Sequence, residues 1–195
     1  MGDALRVAVF TVVEVVALVI WLALVRGEAR TFQMDSISIV TGLGILAVGI
    51  TIEHLLSYNV INKRPLFKLG GLPVGKKLVV SVIETGIWAI WLILADFNAL
   101  VAAVGLAVLL IFEHSFSDNV FKGRGIFTRL LNVRTVGFSL IEAAGAAVWL
   151  ALVGAGQQIA GIAALLITSL IEHTMAVNLG RSELFMDPGR SSSSS

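Results

Sequence analysis

Six stretches of the chain read as nearly unbroken apolar runs, at 5–25, 36–60, 77–95, 99–120, 134–153 and 157–179. A helix needs roughly 20 mostly apolar residues to cross the hydrocarbon core of a bilayer. Each run approaches or exceeds that length, and the pattern predicts six transmembrane helices. Together they use most of the chain and leave no room for a soluble catalytic domain. The turns expected at 96–98 and 154–156 are short, so an odd-numbered helix and its successor should pack as an antiparallel hairpin. Pro65, Gly70, Gly71, Pro73 and Gly75 mark a linker. No proline interrupts a span, in contrast to the broken helices that form binding sites in many secondary transporters.

The few polar positions inside these runs recur in register. Odd-numbered helices carry Glu14-x6-Trp21, Glu84-x6-Trp91 and Glu142-x6-Trp149, each tryptophan followed by leucine. Even-numbered helices carry Glu53-His54 with Asn59, Glu113-His114 with Asn119, and Glu172-His173 with Asn178. Three copies of two motifs at matching points define an internal repeat. The expected fold is an all-α integral membrane bundle of six transmembrane helices, formed by three two-helix repeats around a pseudo-threefold axis. The repeats span 5–62, 77–122 and 134–181 of a single transmembrane domain, with a flexible serine-rich tail at 186–195. Because the first run shares the motif of the third and fifth, it reads as part of the bundle and not as a cleaved secretory signal. Three two-helix repeats resemble the layout of mitochondrial carriers. The proline-acid-basic signatures of that family are missing from the odd helices, so nothing carries over.

Composition agrees with this picture. Hydrophobic residues make up 57% of the 195 and charged residues 14%, against about 25% charged in soluble domains. Mean hydropathy is +0.93. Cysteine is absent, which excludes disulfides, thiolate metal sites and cysteine nucleophiles. Charge is strongly sided. Arg6, the linker residues Lys63, Arg64, Lys68, Lys76 and Lys77, the second-linker residues Lys122, Arg124, Arg129 and Arg134, and Arg181 and Arg190 all fall on the side of the termini. Only Arg26 and Arg30 fall opposite. The positive-inside rule then puts both termini in the cytoplasm of a multi-pass cell-membrane protein. The basic face could also attract anionic lipid headgroups. Topology accounts for these charges, so nucleic-acid binding is not indicated.

Depth ties the repeated acids together. At about 1.5 Å per residue, Glu14 lies about 12 Å along its helix from Arg6, and Glu84 and Glu142 lie nearly as deep from Lys77 and Arg134. Glu53, Glu113 and Glu172 stand at matching depth before Lys63, Lys122 and Arg181. Six carboxyls and three imidazoles therefore share one layer. A charged side chain near the bilayer centre costs at least about 2.5 kcal/mol, so these groups must face one another, water or a metal. Neighbouring carboxylates repel unless protons or cations neutralise them.

Imidazole with carboxylate and no thiolate suits zinc, iron or manganese. The candidate ligands are His54, His114, His173, Glu53, Glu113, Glu172, Glu14, Glu84 and Glu142. Di-metal carboxylate bundles use Glu with Glu-x-x-His; adjacent Glu-His instead projects its side chains about 100° apart, so one is expected to face the axis and its neighbour the next helix. Either the histidines ligate, with carboxylates orienting each ring through its other nitrogen, or the roles are reversed. An open position on such a metal could activate water or dioxygen. The alternatives are a proton or cation pathway through the Glu/His ring and a structural, hydrogen-bonding role in assembly. Trp21, Trp91 and Trp149 either wall off the layer or form an interfacial belt. Asn59, Asn119 and Asn178 line an access route or bond helix ends. No lysine is placed inside a span, which leaves no attachment point for retinal. No nucleotide-binding loop or nucleophile elbow is present.

Overall fold

The computed structural model describes residues 2–26, 36–121 and 133–186, and its regular structure is entirely helical. The helices are α1 (Asp3–Arg26), α2 (Ser36–Ile61), α3 (Val74–Phe97), α4 (Ala99–Phe121), α5 (Val133–Gly154) and α6 (Gln158–Met186). All six are long and apolar enough to cross a membrane. The expected spans are met closely at most ends. The exceptions are α3, which starts at Val74, and α6, which runs through 181 to Met186. The rest of the expected tail, 187–195, lies outside the described residues, as do Arg30, Lys122, Arg124, Arg129 and Arg190.

Two of the hairpin turns are explained by single residues. Asn98 alone separates α3 from α4, and its Oδ1 accepts hydrogen bonds from the amides of Leu100 (2.9 Å) and Val101 (3.1 Å), capping α4. Between α5 and α6 the chain reverses through Gly156, whose φ of +79° is open to glycine and strained for most other residues. Hairpins α1–α2, α3–α4 and α5–α6 pack side by side. Further contacts of α2 with α3, α4 with α5 and α6 with α1 close them into a ring.

Hydrophobicity is arranged inside out. On α1 the buried stripe runs through Val7, Thr11, Glu14, Leu18, Trp21 and Val25 at helical spacing. The opposite face presents Val12, Val16 and Ile20, and α4 likewise exposes Val101, Val104, Val108 and Phe112. Such a surface would be an aggregation hazard in water and is the normal exterior in lipid. Between lipid-solvated helices, association depends on close packing. A Cβ at Gly49 would overlap Ala17, and one at Gly145 would overlap Thr168. Gly44 and Gly86 do not act this way, since a Cβ there meets nothing within 4 Å.

Candidate metal centre

The odd-numbered helices bring Glu14, Glu84 and Glu142 together. All three are buried, with one carboxylate oxygen of each within 4.8 Å of the others. Glu53, Glu113 and Glu172 on the even-numbered helices are buried as well. Each imidazole stands between one carboxylate of either kind. His54 Nε2 is 3.5 Å from Glu53 Oε2 and 3.2 Å from Glu84 Oε2. His114 Nε2 is 3.6 Å from Glu113 and 3.5 Å from Glu142. His173 Nε2 is 3.3 Å from Glu172 and 3.6 Å from Glu14, with Glu53 Oε1 also at 3.8 Å. The nine expected side chains thus form three groups of like composition, each completed by the odd helix of the following repeat.

The adjacent Glu and His do not divide as the helical wheel suggests. Both reach the layer, because the ring turns Nε2 inward and sends Nδ1 to the neighbouring helix. Nδ1 of His54 is 2.9 Å from Ser81 Oγ, that of His114 is 2.8 Å from Ser139 Oγ, and that of His173 is 2.9 Å from Thr11 Oγ1. The group that meets each ring at its other nitrogen is a hydroxyl.

These hydroxyls are themselves tied to the preceding turn. Ser81 donates its one proton to the carbonyl of Lys77 (2.8 Å), Ser139 to that of Thr135 (2.7 Å), and Thr11 to that of Val7 (2.9 Å). Each hydroxyl therefore anchors its ring at Nδ1 while Nε2 faces the carboxylate oxygens.

Apolar packing surrounds the layer. On the side away from the termini, Trp21, Trp91 and Trp149 are almost fully buried with Leu18, Leu46, Leu106 and Leu165. Trp91 stacks on Trp149 at 6.3 Å between centroids, and Trp88 meets Trp91 edge-on at 5.4 Å. All three therefore lie inside the bundle. Toward the termini, Val7, Phe10, Leu56, Val60, Leu66 and Val177 form a second cluster, with Phe10 4.8 Å from the His173 ring. The loop following α2 is fastened beneath it. Asn59 Nδ2 donates to the carbonyls of Leu66 (2.9 Å) and Lys68 (3.0 Å). Arg6 donates to the carbonyl of Arg64, whose guanidinium donates in turn to those of Gly70 and Gly71. Asn59 thus bonds the chain after its helix, Asn119 is buried, and Asn178 is exposed.

Two contributions escaped the motif reading. The hydroxyls stand three residues before each odd-helix glutamate, so the full pattern is Ser/Thr-x2-Glu-x6-Trp-Leu, legible once the repeats are aligned. Trp88 is not repeated, yet it is fully buried and its Nε1 donates to Glu84 Oε1 at 3.5 Å. Comparison with known protein families, curated proteins and solved structures finds no match.

Proposed function

We propose that this chain is a multi-pass membrane metalloprotein. Its three two-helix repeats surround a pseudo-threefold axis, its termini face the cytoplasm, and its Glu/His layer binds transition-metal ions of the zinc, iron or manganese class. One observation carries the reading: three imidazoles whose Nδ1 is engaged by a hydroxyl turn Nε2 onto buried carboxylates. Neutral imidazole with carboxylate is a transition-metal donor set. Fixing of the other ring nitrogen is the usual support for a ligating histidine. Ion or proton passage is less well supported, because the tryptophan cluster interrupts the polar groups on one side. Anionic lipids remain the proposed partner of the basic flank.

Elemental analysis of the purified, detergent-solubilised protein, without a metal-binding affinity tag, tests this. A stoichiometric transition metal is expected, and the triple variant H54A/H114A/H173A should lose it. Unchanged metal in that variant would overturn the reading. So would a wild-type protein that stays metal-free after incubation with zinc, iron and manganese, and proton or cation flux in liposomes would then be the next measurement.

A further inference from the structure

The repeated motifs allow two divisions of the layer between ligands and supports, and the structure separates them by which donors converge. Glu14, Glu84 and Glu142 come one from each repeat, are all buried, and bring one oxygen each within 4.8 Å of the other two. Among the described residues, no other three acidic or histidine side chains meet in this way. The imidazoles instead contact this trio one by one. His54 Nε2 is 3.2 Å from Glu84, His114 Nε2 is 3.5 Å from Glu142, and His173 Nε2 is 3.6 Å from Glu14. Each converging carboxylate thus has an imidazole of its own, and each imidazole meets a hydroxyl at Nδ1.

The spacing of the trio suits one ion. Oxygen ligands lie about 2.0–2.1 Å from magnesium and about 2.3–2.6 Å from calcium, so ligands on opposite sides of one hard cation stand about 4.0–5.2 Å apart. The 4.8 Å limit on the three oxygens falls inside that range. Glu14 supplies an independent sign of a ligand. Its side chain is 6% exposed, and its Oε2 is buried without a hydrogen-bond partner. A carboxylate oxygen in that state inside a membrane span is costly unless a cation meets it. Donor chemistry then narrows the ion. Carboxylate oxygens alone suit magnesium, calcium and manganese, whereas imidazole suits zinc and iron.

We infer that Glu14, Glu84 and Glu142 seat a single manganese(II) ion between α1, α3 and α5, while His54, His114 and His173 hold the ligating carboxylates in place and do not bind the ion. Such outer partners commonly fix the orientation of metal-bound carboxylates. This inference rests on the metalloprotein reading and deepens it, by naming the ion and dividing the roles within the donor set.

The test uses full-length protein in detergent, stripped with a chelator, loaded with Mn(II) alone and desalted. The metal-to-chain ratio is measured beside the electron paramagnetic resonance and electron spin-echo modulation spectra, the latter reporting nitrogen bound directly to the ion. A ratio of one is expected, with the hyperfine pattern of an isolated ion and no directly bound nitrogen. Glu142→Gln should weaken Mn(II) binding beyond the about 10–100-fold typical of losing a supporting partner. Glu113→Gln leaves the trio intact and should stay within that range. A ratio above one, directly bound nitrogen, or equal losses in the two variants overturns the three-carboxylate seat and leaves the metalloprotein reading standing. So does a protein that takes up zinc or iron but no Mn(II). Uptake of none of the three metals overturns both. If the Glu142 variant does not fold, the wild-type ratio and nitrogen signal decide.

Discussion

The polar layer and the tryptophan cluster above it are built from the same three repeats under different rules. In the layer, each repeat contributes Glu, Glu-His and a hydroxyl at fixed positions, and the only variation is Thr11 for Ser81 and Ser139. Above it, four residues past each odd-helix glutamate, stand Leu18, Trp88 and Ala146. All three are fully buried although their volumes differ greatly. A lone pair aimed at a particular point has no substitute from a neighbouring repeat. Volume can be shared, since an indole from one repeat fills the space a leucine or alanine leaves in the others. The layer is thus constrained by chemistry in every repeat, and the cluster by its total packing.

The largest test of this contrast is Trp88→Ala. Emptying a fully buried indole site typically costs about 3–5 kcal/mol. Thermal unfolding in micelles should shift down accordingly, while the metal-to-chain ratio stays at its wild-type value wherever the protein remains folded. Loss of metal would instead assign Trp88 to the layer through its bond to Glu84 and collapse the distinction.

Ser139→Ala probes the layer's own rule with a smaller change. His114 would keep its place but lose the hydroxyl that meets its Nδ1. Removing such a supporting partner typically weakens metal binding about 10–100-fold, and metal competition titration should show this. Ser139→Thr should restore binding, because Thr11 fills that role in the first repeat. If alanine binds metal as tightly as serine, the hydroxyl only packs.

Much of this was legible in the chain because membrane spans announce themselves by length and repeats by register. Glu14, Glu84 and Glu142 meet, and Glu53, Glu113 and Glu172 are buried beside them, as their common depth predicts. What was not legible depends on side-chain direction. Periodicity assigns Glu53 and His54 to different faces, yet a flexible ring bonded through Nδ1 to Ser81 brings Nε2 back to the carboxylates. Serine and threonine also pass as ordinary helix residues that bond the preceding turn, so their second bond to histidine left no mark in hydropathy. Lys77 was read as the flank of a span, yet it is buried within α3 one turn before Ser81. Charge counting by position misses how deep a long aliphatic stem can carry its amine.

The smallest expected effect concerns the third motif residue, where repetition in sequence does not bring repetition in role. Asn59 holds the loop after α2 through two carbonyls, whereas its counterpart Asn178 is exposed. Neutral hydrogen bonds contribute about 0.5–1.5 kcal/mol each, so Asn59→Ala should cost roughly 1–2 kcal/mol. The loss should be local, because Leu66 sits in the apolar cluster near the termini and not in the carboxylate layer. Limited proteolysis should therefore cut the 62–73 segment faster, with metal content and affinity unchanged. Weaker metal binding on the scale of Ser139→Ala would instead tie this loop to the layer, and Asn59 would belong to the route by which ions arrive.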